Sequence, residues 1–130
     1  MSDRTLTATL GRQGYATVMS VRTHTLVADE PTDVGGSDTA ASPIEQLMGA
    51  LASCTTITLR MYADRKQWPL EGVDVTITMT RSRTPSMTRT LTLRGPLDDA
   101  QRARLVEIAD ACPVSRILES GLPVTTVLER

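Results

Sequence analysis

The sequence predicts an α+β fold with a mostly antiparallel sheet. Three observations carry that class. Short β-rich runs stand before and after one long helical pattern. Two neighbouring runs, Val73–Arg81 and Met87–Arg94, alternate apolar and polar residues. Two stretches open on helix-capping signals. Strands, helix, strands, helix, strand is an α+β order. A chain of 130 residues fits one domain, 1–130, with a core of its own.

Taken in order, Thr5–Leu10 and Tyr15–Val21 read as strands joined by a hairpin at Gly11-Arg12-Gln13-Gly14. A third strand is predicted over Thr23–Ala28. Residues 29–42, DEPTDVGGSDTAAS, are rich in Asp, Gly, Pro and Ser and read as a loop. Loops this long in compact domains are usually functional or covered by a partner. Ser42-Pro43-Ile44-Glu45 is a strong helix start, with Ser42 as N-cap, Pro43 at the first helical position and Glu45 completing a capping box. The helix should run to about Lys66, where Arg65 and Lys66 suit its negative end and Trp68-Pro69 closes it.

In the next run Val73, Val75, Ile77 and Met79 share one face. In the following one Leu91 and Leu93 oppose Thr88, Thr90 and Thr92. Thr84-Pro85-Ser86 joins the two as a hairpin, each strand half buried. Asp98, with Gln101 three residues on, caps a second helix whose stripe is Leu105, Ile108, Ala109 and Cys112. Pro113 ends it and starts a short helix over Val114–Glu119. Val124–Leu128 is predicted as a last strand.

Composition excludes several function classes. Fourteen Lys and Arg against fifteen Asp and Glu give a formal charge of −1, and there are one Trp, two Tyr and no Phe. Neither a basic nucleic-acid surface nor a base-stacking platform is expected. The start, MSDRTLTATL, has no apolar signal-peptide core, and no apolar run approaches a membrane span. The expected compartment is the cytoplasm. Two cysteines there point to catalytic, redox-active or inert thiols rather than a structural disulfide. A single histidine, His24, and no CxxC spacing argue against a metal site.

From Leu47 to Thr58 the long helix carries no charge. One domain can cover one side of such a helix, and a two-fold dimer is the commonest cover for the other. Within it Cys54 reads either as a small hydrophobe or as a thiol that needs a cation from elsewhere in the fold. Cys112, just before Pro113, sits at a helix N-cap or ends an apolar stripe; both readings stand. Arg12, at a hairpin tip, gains no role from its position alone. Glu45 is explained by its cap, and about 13 Å of helix separates it from Cys54. His24 reads as structural or as lining a pocket.

The motifs HTLVADEP, SPIEQLMGALASCT, RMYADRKQWPLEGVDV and CPVSRIL, in this order along nearly the whole chain, resemble the OsmC/Ohr family, the osmotically inducible and organic hydroperoxide resistance proteins, and most nearly its OsmC-like branch. The resemblance implies an OsmC-like fold with a long buried central helix in an intertwined homodimer. It implies a thiol-dependent peroxidase with no metal or organic cofactor. Cys54 would attack the hydroperoxide and become a sulfenic acid. Cys112 would resolve it as an intramolecular disulfide, and a dithiol reductant, in the Ohr branch a lipoylated protein, would restore both thiols. Gly11-Arg12-Gln13-Gly14 resembles the family's Gly-Arg-x-Gly turn, which makes Arg12 the candidate cation for Cys54. Met48, Leu51 and Met61 are candidates for an apolar wall facing an organic hydroperoxide.

The Ohr pattern places Glu directly after the Pro. Here Ile44 stands there and Glu45 follows, a shift of about 100° around the helix. The OsmC-like branch often has this later Glu. Ile44 favours the alternative reading, a ligand-binding or redox-sensing dimer with little turnover. A structural role with both cysteines inert is a third.

Overall fold

The computed structural model describes residues 3–129. They form two compact units that meet in sequence between Met48 and Gly49. In the first, β1 (Leu6–Thr9), β2 (Thr17–Val21) and β3 (His24–Ala28) make an antiparallel sheet in that order. Leu6 pairs with Val21, and Val21 with His24, so β2 and β3 are joined by two residues. Arg22 makes that reversal with a positive φ of 53°, a left-handed conformation rare outside glycine, Asn and Asp.

The 29–42 loop contains a single 3-10 turn over Thr32–Val34 and is bound tightly to itself. Buried Asp29 accepts hydrogen bonds from the Thr39 hydroxyl (2.6 Å), the Thr39 N–H (3.1 Å) and the Glu30 N–H (2.8 Å). The Asp29 N–H donates to Ala41 O, and Gln46 Nε2 donates to both Val27 O and Ala41 O. Those bonds close the loop at its neck.

Helix α1 is Pro43–Lys66. Its capping box forms as the sequence predicts: Glu45 N–H donates to Ser42 Oγ (3.2 Å) and Ser42 N–H to Glu45 Oε1 (2.9 Å). Gln67, at φ 57°, ends it. The second unit continues with the hairpin of β4 (Gly72–Thr80) and β5 (Ser86–Arg94), then α2 (Asp99–Asp110) and α3 (Pro113–Ser120). Asp98 and Gln101 form the second capping box. Burial alternates along both strands, as period two requires.

The core of this unit joins Leu59 and Ala63 of α1, Leu70, Leu97, and Leu105 and Ala109 of α2. Tyr62 and Trp68 pack against it edge to face, 5.5 Å apart. Arg102 donates to the carbonyls of Leu93, Gly95 and Leu97 and so fixes the β5–α2 connection.

One expectation changes. The segment Val124–Leu128 is not a strand: it has no regular structure, and Val124 and Leu128 are 86% and 90% exposed. A strand exists only against another strand, and none among the described residues pairs with it. As expected of a single chain, the central helix is buried along one stripe, Leu51, Thr55, Leu59 and Ala63. Ile57 and Met61 are 55% and 60% exposed.

Candidate thiol site

Cys112 is the residue before α3, in extended backbone, with Pro113 at the first helical position. It is fully buried, while Cys54 in α1 is half buried, and both are free thiols. Thr55, next to Cys54 and on the buried stripe, places its hydroxyl oxygen 3.8 Å from Cys112 Sγ. Cys54 Sγ itself lies 4.0 Å from Thr58 Oγ1.

The cation here is Arg89, from β5. Its Nη1 donates to Thr55 Oγ1 (2.9 Å) and Ala109 O (3.0 Å) and lies 3.8 Å from Cys112 Sγ. Its Nη2 donates to Asp110 Oδ1 and Ser115 Oγ, each at 3.2 Å. Burial pushes the Cys112 thiol up, but the Ser115 N–H, the Cys54 thiol, the Thr55 hydroxyl and the Arg89 charge together hold it below the ordinary cysteine range. The Cys112 side chain makes no capping hydrogen bond. The Ser115 N–H favours the ionised sulfur, as a helix N-terminus does.

Beside these groups opens a pocket of about 380 Å³. Leu51, Met79, Met87 and Leu118 give it apolar walls, and Arg89 and Ser115 give it a polar side. Among the described residues no group of three or more His, Cys, Asp or Glu is gathered to ligate a metal, and no helix is long and apolar enough to cross a membrane.

The sequence-derived candidates fall in different places. Cys54 and Cys112 both belong to the second unit, with Thr55 next to the first and 3.8 Å from the second, and Leu51 lines the pocket. Met61 instead borders a separate shallow depression with Ile57 and Val73, because ten residues of helix carry it about 15 Å along the axis. Met48 is half buried at the end of the first unit. Arg12, between β1 and β2, and His24, first in β3, are exposed residues of that unit. Glu45 spends its carboxylate on Ser42, whose N–H and hydroxyl hold it below the ordinary range against the opposing effect of burial. Arg89 was missed. The signal was present: alternation puts it on the covered face with Met87, Leu91 and Leu93, and a charge on such a face calls for partners.

Residues 35–127 match the family model described as OsmC-like protein. The chain belongs to the OsmC-like protein family. Among solved structures, the OsmC-like protein is similar to one of the same description from Mycoplasma pneumoniae, at 16% identity and a TM-score of 0.76, with 91% of this chain and 88% of that one covered. It is similar to the organic hydroperoxide resistance protein OsmC of Legionella pneumophila at 21% identity and a TM-score of 0.60, covering 91% and 90%. It is also similar to the organic hydroperoxide resistance protein OhrB of Bacillus subtilis at 18% identity and a TM-score of 0.59, covering 88% and 89%. These likenesses establish the OsmC fold. No curated protein matches the sequence.

Proposed function

We propose that this OsmC-like protein is a thiol peroxidase that reduces organic hydroperoxides and works as a two-fold dimer in the cytoplasm. The observation that carries the reading is a pair of free thiols, Cys54 and, 3.8 Å from the hydroxyl of the adjacent Thr55, Cys112, beside a largely buried arginine and a pocket with an apolar wall. Cys54 is the better placed for an incoming oxidant because Cys112 is closed to solvent. The Cys54 thiolate attacks the terminal peroxide oxygen. The O–O bond breaks, an alkoxide leaves and takes a proton, and Cys54 becomes a sulfenic acid. Cys112 then displaces hydroxide from that sulfur to give the disulfide, and a dithiol returns both to thiols. Arg12 is the proposed cation for Cys54. Leu51, Met79 and Met87 offer an alkyl chain an apolar wall.

Uncovered apolar surface supports the dimer. In the second unit Ile57 and Met61, one turn apart on α1, are exposed and border one depression with Val73, and an apolar patch of this kind marks a protein interface; in the first unit Leu6 and Leu26, on one face of the sheet, are exposed as well. The test is dithiol-dependent turnover of cumene hydroperoxide. Cys54→Ser should abolish it, and undiminished turnover in that variant overturns the reading.

One observation favours a second reading. Ile44 occupies the position after Pro43, and the Glu45 carboxylate is committed to its cap. A ligand-binding or redox-sensing dimer would oxidise its thiols once, stoichiometrically, with steady-state peroxide consumption near background.

A further inference from the structure

We propose that Arg89 is a positioning residue for Cys112, fixing the buried sulfur toward Cys54 and holding it as the thiolate that closes the disulfide. This rests on the peroxidase reading above and adds to it the residue that governs the second chemical step.

The placement of Arg89 argues for it. The side chain is 13% exposed, on the inward face of β5. A guanidinium taken that far from water must be satisfied by hydrogen bonds. Here the partners come from every helix around the thiol: Thr55 of α1, Ala109 and Asp110 at the end of α2, and Ser115 of α3. Arg89 therefore sets the spacing of the three helices where Cys112 sits. Its carboxylate partner does not quench it. Asp110 meets Nη2, is 73% exposed and so pairs weakly. Nη1 has only neutral partners, the Thr55 hydroxyl and the Ala109 carbonyl, besides the sulfur. An ionised Cys112 is the one anion that side of the guanidinium can acquire from these contacts.

The titratable and charged groups around Cys112 are Arg89 from β5, Cys54 from α1, Asp110 from α2 through Arg89, and on α3 Arg116, whose Nε donates to Ala111 O, and Glu119, which lines the same pocket as Arg89; α3 also offers the Ser115 N–H and hydroxyl. Without Arg89, burial is left opposed only by neutral donors. The depressed thiol of the intact site is what this arrangement should produce.

The step balances simply. A lone pair of the Cys112 thiolate forms the S–S bond to Cys54, the S–O bond of the sulfenic acid breaks, and hydroxide leaves and is protonated to water. The thiol form of Cys112 attacks far more slowly.

The experiment uses the full chain, reduced and then mixed with one equivalent of tert-butyl hydroperoxide between pH 5 and 9. Cys54 sulfenic acid is trapped with a dimedone probe, and the Cys54–Cys112 disulfide is followed by mass spectrometry. Arg89→Met should slow disulfide formation roughly tenfold at neutral pH and move its pH midpoint up by about one unit, tenfold being one unit of ionisation. Sulfenic acid should persist in its place. Arg89→Lys, which keeps the charge without the fork, should restore part of the shift. Arg89→Gln, which keeps polar groups for Thr55 and Ala109 without the charge, should move the midpoint up as Arg89→Met does, and this arm carries the test if Arg89→Met fails to fold. A wild-type midpoint in Arg89→Met or Arg89→Gln overturns the proposal. So does a slower step with an unmoved profile, which would mark Arg89 as scaffold only. If no sulfenic acid forms on Cys54 in the native protein, the peroxidase reading fails and takes this inference with it. If it forms and the Arg89 profiles stay put, this inference alone fails.

Discussion

Replacing Leu59 with alanine measures how much of the second unit's stability rests on α1. Leu59 is fully buried among Leu70, Leu97, Leu105, Ala63 and Ala109. Losing three carbons from that environment forfeits about 2.4 kcal/mol of transfer free energy. The rest of the cost is the cavity. Ala63 and Ala109 have no side chain long enough to fill it, so the change belongs in the upper part of the leucine-to-alanine range, about 3.5–5 kcal/mol. With a urea slope of about 2 kcal/mol per molar, the unfolding midpoint should fall by roughly 2 M. Urea titration followed by Trp68 fluorescence reads this directly, since Trp68 packs against the same cluster. Ile57→Ala is the internal comparison. It lies two residues away, about 200° around the helix, and is 55% exposed. At submicromolar concentration it should cost under about 0.5 kcal/mol. At high concentration its cost should grow if a second copy covers that face. A Leu59→Ala loss below about 1 kcal/mol, or one no larger than that of dilute Ile57→Ala, would refute the assignment of the core.

Three other outcomes follow from the same structure. Ser42→Ala removes the N-cap of α1 and should cost about 1 kcal/mol, read as a lower melting temperature with the helix signal otherwise intact. The Thr39 hydroxyl and N–H, with the Glu30 N–H, outweigh burial and hold the Asp29 carboxyl down at about 2. Its stabilising effect is therefore complete above the ordinary carboxylate range and lost as pH falls from about 4. Thr39 amide exchange, corrected for its intrinsic pH dependence, should speed up across that window in the native protein and show no such step in Asp29→Asn. Gly95 has a φ of +132°, and an added Cβ would run into the Pro69 carbonyl. Gly95→Ala should then destabilise by at least about 2 kcal/mol in urea titration, whereas Gly121→Ala, with open space around it, should lose less.

What the sequence made legible was whatever is local. Ser42 with Glu45, and Asp98 with Gln101, announce two helix starts because a capping box is closed within four residues. The β4–β5 hairpin is visible because its partners are neighbours in sequence. Val124–Leu128 looks like a strand by the same composition, yet strand propensity does not supply a partner. The site divides along the same line. Cys54 and Cys112 were visible as the only cysteines, and their meeting was implied by family motifs rather than by spacing. Arg89 stood on the inward face of an alternating strand, but alternation names the face and not what waits there. Its partners, Thr55, Ala109 and Ser115, lie twenty or more residues away. Met61 shows the converse: a residue on the right helix, one that lines a different hollow from Leu51.

The closed neck of the 29–42 loop bears on how the chain meets a protease. Its composition, Asp, Gly, Pro and Ser on the surface, is that of a nicking site. Cleavage, however, requires a stretch of backbone to peel away and extend into the enzyme's cleft. Here Asp29, Thr39 and Ala41 tie the two ends together, and Pro31 O receives the N–H groups of both Val34 and Gly36 within. The tip cannot lift without breaking several of these at once. Residues 121–129 are exposed and have no ladder or helix to leave. The most vulnerable peptide bonds are thus at the tail, and the longest loop between regular elements is among the better defended segments of the fold.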